Sequence, residues 1–364
     1  MSLSKRELKR QCIRFLSGHK PKTQREWLES ISASPAADML MDFYGEGPAV
    51  AELEQEVAGI LGKETAVFVP KGVVAQQAAL RVWADRSGSR NIALHPKSHI
   101  DVDEKSAYER LMDLKGTRLG KDHLPFTLQE LEALHEPLGA VTVELPLRRA
   151  GFKLPSWEEL EAISRWTKEH KVPLHFDGAR IWETGPYYGR SYAEISALAD
   201  SVYVSFYKGL GGLGGCILAG PKDFIDEVSV WKARLGGNLY TAFPYVITAL
   251  EGLKQHLPKM GQYYTRALEI AKALSELPGV LIAPDPPQTN GFQVYLPAEA
   301  EALQTAELRL AEEDKIWLFG WFDETRVPGF SMGEIQIGDA CEEWPTTEIV
   351  EAVRKLLEIA KSCR

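Results

Sequence analysis

The chain has 364 residues, 45% of them hydrophobic and 26% charged, with a formal net charge of −9. Length and apolar content allow a sizeable core and two domains, while the acidic balance argues against nucleic acid or an anionic membrane as partner, since both need a positive face. The four cysteines (Cys12, Cys216, Cys341 and Cys363) are scattered with no CxxC pair, which points to a reducing, cytoplasmic compartment and to neither a disulfide framework nor a zinc site.

The start, MSLSKRELKRQCIRF, carries charges throughout and reads as a helix or arm, not as a signal peptide. No apolar stretch is long enough to span a bilayer. From Thr65 onward, short apolar runs rich in β-branched residues alternate with longer amphipathic segments. The runs are TAVFVP (65–70), NIALHP (91–96), GAVTVELP (139–146), VPLHFD (172–177), SVYVSF (201–206) and GCILAG (215–220). Several are apolar on consecutive positions, as strands buried on both faces should be. Between them lie helix-like stretches such as VAQQAALRVWADR and SWEELEAISRWTKEH; the second opens with Ser156 and Glu159 in capping-box spacing. This alternation predicts an α/β fold, a mainly parallel sheet sandwiched by helices. After Asp223 the pattern turns helical, then becomes a small α+β domain with short strands near 279–282, 291–296 and 333–337 and helices near 299–313 and 346–361. The expected boundaries are an N-terminal arm at 1–40, a large domain at 41–255 and a small domain at 256–364. The arm would pack on the small domain or on a neighbouring subunit.

Two positions carry chemistry. Asp177 ends the apolar run of HFDGAR (175–180), which places a carboxylate at the C-terminal end of a central strand, where open α/β sheets bind ligands. Such a carboxylate can keep a heteroaromatic nitrogen protonated, and it can equally cap a helix or fix a turn. Lys208 follows an apolar strand and precedes a glycine-dense loop; a lysine held beside a partly buried cavity loses part of its tendency to stay protonated and can form an imine. Gly209, Gly211 and Gly214 satisfy G-x-G-x-x-G, but this run leads into another strand, CILAG, instead of opening a helix, so a nicotinamide site is rejected. His95 and His99 stand four apart, but Pro96 argues against a metal-binding helix, and no metal is expected.

Taken in order, YGEGP (44–48), LE (53–54), GKETAVFVPKG (62–72), SHI (98–100), HFDGAR, DSVYVSFYKGLGG (200–212) and LGG (235–237) resemble the threonine aldolase and β-eliminating lyase family of fold type I pyridoxal-phosphate enzymes. The resemblance implies a pyridoxal 5′-phosphate cofactor held as a Schiff base on Lys208, with Asp177 as partner of the pyridine nitrogen. It implies that Arg180 lies near the ring oxygen and the substrate, and that His99 stacks on the ring face and relays protons. Backbone N–H groups of Gly72 and Val73, at a helix start, would hold the phosphate, and Ser205 would add a hydroxyl. It also implies a homodimer or homotetramer with sites at subunit interfaces, to which Tyr44 and Lys232 would contribute.

The chain departs from the aldolases around the substrate. Ser-Gly-Thr in the phosphate loop becomes Lys71-Gly72-Val73. Glu-Asn-Thr-His-Asn becomes Glu144-Leu145-Pro146-Leu147-Arg148, so that the histidine near the substrate hydroxyl is Leu147. GEIQIGDA (333–340) lacks the arginine that grips the substrate carboxylate, and Tyr240 replaces the arginine after LGG. A desolvated carboxylate still needs a cation. Arg148 would supply it, with Arg149 pointing to the opposite side if the chain stays extended there. The expected reaction is retro-aldol cleavage of a β-hydroxy-α-amino acid to glycine and an aldehyde. β-Elimination comes next, then transamination, and last a catalytically idle homologue.

Overall fold

The computed structural model describes residues 4–362, so Cys363 lies outside the described residues. The chain divides into two compact units, one of Gln24–Pro258 and one that joins Met1–Thr23 to Lys259–Arg364. Helix Gln24–Ser32 and the turn after it belong to the first unit, where Ile31 is buried and Ser34 Oγ donates to Glu251 Oε1 at 2.8 Å.

In that unit the apolar runs become strands of a seven-stranded sheet: β1 (Thr65–Val69), β2 (Asn91–Leu94), β3 (Lys115–Arg118), β4 (Ala140–Glu144), β5 (Leu174–Gly178), β6 (Ser201–Ser205) and β7 (Cys216–Gly220). Their spatial order is β1-β7-β6-β5-β4-β2-β3, with β7 alone antiparallel to its neighbours. Strand β3, KGTR, escapes the sequence reading because it is polar throughout. As an edge strand it has a neighbour on one side only and stays largely in contact with solvent.

Register decides where the polar groups of the central strands go. Thr142 of β4 pairs with His175 of β5, which pairs with Ser201 of β6; one step further along, Glu144 pairs with Asp177 and Asp177 with Tyr203. Side chains alternate between faces along a strand. All six therefore share one face, in two rows, with the second row nearer the C-terminal ends of the parallel strands. Helices α2 (Gly72–Ser87) and α4 (Lys222–Arg234) pack against Tyr203, Cys216 and Leu218 on this face, and Trp83 stacks on Phe224 at 4.2 Å. Helix α1 (Pro48–Leu61) precedes β1 and ends in a left-handed Gly62.

Helix α3 (Trp157–Glu169) links β4 to β5 and keeps half of its expected capping box. Ser156 Oγ accepts from Glu159 N at 3.1 Å, but the Glu159 carboxylate turns to Leu128 N instead of reaching back to the cap. The rejected dinucleotide motif does run into a strand, β7.

The second unit carries an antiparallel sheet ordered β10-β11-β9-β8, from β8 (Leu281–Ala283), β9 (Gly291–Leu296), β10 (Asp323–Glu324) and β11 (Ser331–Gln336). Its helices are α5 (Met260–Ser275), α6 (Ala300–Glu313) and α7 (Thr346–Ser362); α7 buries Ile349, Val353, Leu356 and Ala360 at three- and four-residue spacing. The N-terminal arm does begin as a helix, Lys5–Gln11, closed by a capping box between Ser4 and Glu7. Leu8, Cys12 and Phe15 then pack on Ala311, Trp317 and Ala340, and Arg14–Phe15 pairs in parallel with Ile316–Trp317. Among the described residues, no helix is long and apolar enough to cross a membrane.

One buried carboxyl marks this unit. Glu307 on α6 accepts from Leu318 N (2.8 Å) and Phe319 N (3.0 Å) with one oxygen, while the other has no hydrogen-bond partner. Burial pushes its pKa up to about 8. An acid whose folded pKa is raised contributes fully below its unfolded pKa, and that contribution is lost as pH rises towards the folded value. Glu307→Gln keeps the acceptor oxygen and removes the charge. It should raise the melting temperature by roughly 2–4 °C at pH 8.5 and by much less at pH 5, checked by calorimetry at both values.

Candidate active site

Lys208 stands in the tight turn between β6 and β7, closed by hydrogen bonds from Gly211 N to Lys208 O (2.9 Å) and from Gly212 N to Phe206 O (2.8 Å). Gly211 adopts φ +67, a conformation that L side chains rarely take. The ammonium lies 5.9 Å from the centroid of the Tyr207 ring. Burial, reinforced by the Arg180 guanidinium, pushes the Lys208 pKa down to about 8, against the opposing pull of Asp177, Glu144 and Glu183. A lysine in this state has a substantial neutral fraction near physiological pH, which nucleophilic attack on an aldehyde requires.

Asp177 is 1% exposed and accepts from Ala179 N at 3.2 Å. Burial raises its pKa, and the charges of Lys208 and His99 work against that rise. One row deeper, His175 contacts Ser201 Oγ through Nδ1 (2.8 Å) and Gln76 Oε1 through Nε2 (2.7 Å), and Trp83 Nε1 donates to the same Ser201 oxygen (2.8 Å). Burial lowers the His175 pKa to about 3, so it serves as a neutral member of this network.

His99 opens a one-turn helix, His99–Val102, beside β4. Its Nδ1 lies 3.1 Å from Glu104 Oε1, and this contact raises the histidine's pKa. Glu104 is itself buried and takes a 2.7 Å bond from Gln77 Nε2. Glu144 closes the set: Oε2 accepts from His99 N (2.7 Å) and Oε1 from Arg148 N (3.2 Å). Burial and the neighbouring Asp177 push Glu144 up to about 7. Sequence reasoning missed the roles of Glu104, Gln77 and Glu144. A pattern signal existed for Glu144, which ends a strand as Asp177 nearly does; none existed for the pairing of Glu104 with Gln77 of α2, an element distant in sequence.

The loop expected to hold a phosphate starts α2. Lys71 is its N-cap residue and makes no side-chain capping bond; Gly72 is the first helical residue and Val73 the second. A Cβ on Gly72 would lie 2.2 Å from the Tyr203 hydroxyl, so only glycine fits. Ser205 is fully buried and its hydroxyl donates to Ala179 O at 2.7 Å, which commits the hydrogen expected to face a phosphate. Arg180 lies 5.5 Å over the Phe152 ring, with Nε 4.0 Å from Glu183.

Two expectations change. The chain does not stay extended after Leu147: Arg148–Ala150 forms a 3₁₀ turn. Within it Arg149 is engaged by Asp103 through two bonds of 2.8 and 2.5 Å. Lys232 was expected to reach a neighbour's site, but it is 6% exposed and lies among Glu54 and Asp42 of its own chain. Tyr44 keeps the exposure such a role needs, at 60%, with its ring edge-on to Tyr240 at 5.5 Å.

These residues fit pyridoxal phosphate. An amine of lowered pKa, a buried carboxylate in its electrostatic reach, and an uncapped helix start with a glycine forced by Tyr203 are the donor set that an aldehyde, a ring nitrogen and a phosphate require.

Comparison with known proteins agrees. Residues 30–298 match the β-eliminating lyase family. A solved structure from Listeria monocytogenes EGD-E, proposed to be an L-allo-threonine aldolase, is 37% identical, with 97% of this chain and 98% of that one covered and a TM-score of 0.90. One from Exiguobacterium sp. 255-15, proposed to be an aromatic amino acid β-eliminating lyase/threonine aldolase, is 35% identical over the same shares, with a TM-score of 0.91. Low-specificity L-threonine aldolase 1 of Arabidopsis thaliana is 28% identical over 276 residues, 73% of this chain and 76% of that protein. The chain belongs to the β-eliminating lyase family, and it is a pyridoxal-phosphate-dependent lyase of fold type I.

Proposed function

We propose that this enzyme cleaves the Cα–Cβ bond of a β-hydroxy-α-amino acid, giving glycine and an aldehyde. The observation that carries the reading is the pairing of Lys208, with its pKa near 8, and the buried carboxylate of Asp177, in a chain similar to threonine aldolases. The bound cofactor supplies an electron sink at the substrate's Cα. Lys208 would hold the cofactor covalently, and Asp177 would keep a proton on its ring nitrogen. Gly72 and Val73 would offer backbone N–H groups to its phosphate, and Arg180 would be the arginine that faces it. His99 has Nδ1 tied to Glu104, so Nε2 is the nitrogen left to take the proton of the substrate's hydroxyl. Leu147, buried and apolar, cannot do so. Glu144 fixes both His99 and Arg148 through their backbone N–H groups.

Arg148 binds the substrate carboxylate in this reading, because its backbone is held by Glu144 at the end of the strand beside Asp177, whereas the Arg149 guanidinium pairs with Asp103. The protein works as a homodimer or homotetramer in the cytoplasm. Exposed Leu40, Phe43, Tyr44 and Tyr240 support the assembly, and the buried free thiols Cys12, Cys216 and Cys341 support the compartment. β-Elimination uses the same residues and is separated by its products, ammonia and a keto acid in place of glycine and an aldehyde.

Three outcomes test this reading. Incubation with β-hydroxy-α-amino acids should release glycine and aldehyde in equal amounts, and Asp177→Asn should slow this by about 10²-fold or more while the fold is kept. Equal rates in the two proteins would remove Asp177 from its role. Covalent capture of added pyridoxal phosphate by the apoprotein, followed by absorbance, should speed up as pH rises, with a midpoint near 8, because only the neutral Lys208 amine attacks. A midpoint above 10 would mean that the amine is not perturbed. Finally, Arg148→Ala should raise KM for the amino acid roughly tenfold or more. Arg149→Ala should lower thermal stability and leave KM nearly unchanged.

A further inference from the structure

The start of α2 carries more positive charge than backbone donors alone would give. The first N–H groups of a helix lack intrahelical acceptors, and those of this 16-residue helix point from its positive end. Lys71 occupies the N-cap. Its ammonium lies 5.6 Å from the centroid of the Tyr207 ring, the same ring that the Lys208 ammonium approaches at 5.9 Å. Tyr207 in turn is hydrogen-bonded to Tyr203, whose hydroxyl abuts Gly72. Lys71, Lys208 and Lys232 all bear electrostatically on the buried Cys216 thiol. Both ammonium groups thus approach one ring at the positive end of a helix, a place that attracts an anion.

We propose that Lys71 is a phosphate-binding residue, which reaches from the N-cap of α2 to neutralise the cofactor's phosphate as an ion-pair partner. This rests on the cofactor reading above. A hydroxyl at the cap gives one neutral hydrogen bond; an ammonium meets a phosphate of nearly two negative charges, a contact that depends on charge and is weakened by salt. The site then selects the phosphorylated form of the cofactor mainly through charge.

The test compares apoprotein titrated with pyridoxal phosphate and with pyridoxal, which lacks the phosphate, by absorbance. Lys71→Ala should raise Kd for pyridoxal phosphate roughly tenfold or more and leave Kd for pyridoxal unchanged. Lys71→Arg should keep most of the preference. Added salt should erode the preference in wild type more than in Lys71→Ala. Borohydride reduction, with the modified residue mapped to Lys208, confirms that each variant still forms the covalent bond. An unchanged ratio of the two Kd values in Lys71→Ala, or an equal loss for both ligands, would overturn the role of Lys71 alone. A wild-type protein that forms no reducible bond at Lys208 would overturn the cofactor reading, and this role with it.

Discussion

Asp177 and Lys208 hold opposite charges in surroundings from which water is largely withdrawn, and the rest of the large unit is arranged around that constraint. Moving a carboxylate out of water costs several kcal/mol even after the protein relaxes. Burial therefore drives the Asp177 proton affinity up, and only nearby positive charge makes its ionised form tolerable. Lys208 and His99 provide part of that charge, and in the proposed cofactor complex a protonated ring nitrogen would complete it. The same low dielectric depresses Lys208, so a single physical cause sets both the amine's reactivity and the carboxylate's need for a partner.

Everything close to this pair acts by holding position. The row of His175, Ser201, Gln76 and Trp83 beneath Asp177 pairs most of its polar atoms within the sheet, leaving Gln76 Nε2 without a hydrogen-bond partner. Glu144 joins the turn of His99 to the loop that carries Arg148, and Glu104 fixes the histidine's ring orientation. The carboxylates around His99 also explain why the imidazole holds its proton more firmly than usual even though it is partly desolvated. The strand-helix junctions do the remaining placement: Lys208 is fixed by a glycine turn, and Gly72 by the Tyr203 hydroxyl.

The proposed substrate side follows another logic. Leu147 is a buried apolar side chain, and the next turn, a 3₁₀ turn, carries the arginine pair to which we assign different roles. Arg149 is spent on Asp103, a contact with no claim on a substrate. Positively charged groups instead gather where we propose that the cofactor binds: Lys71, Lys208 and Arg180, with the positive end of α2.

Much of this was legible in the order of residues. Runs such as SVYVSF and GCILAG are apolar on consecutive positions because their strands are buried on both faces, so their existence and the end positions of Asp177 and Lys208 follow from sequence alone. The polar edge strand KGTR offered no such signal, because an edge strand is not forced to be apolar. Only the tertiary structure decided which residues meet. Register put Thr142, His175 and Ser201 in one row and Glu144, Asp177 and Tyr203 in the next. A 3₁₀ turn redirected Arg149, and packing buried Lys232, which sequence had left open to a neighbour. The physical reason is the same in each case. Sequence periodicity reports the environment of one segment, whereas pairings such as His99 with Glu104 and Gln77 depend on how separate segments are brought together.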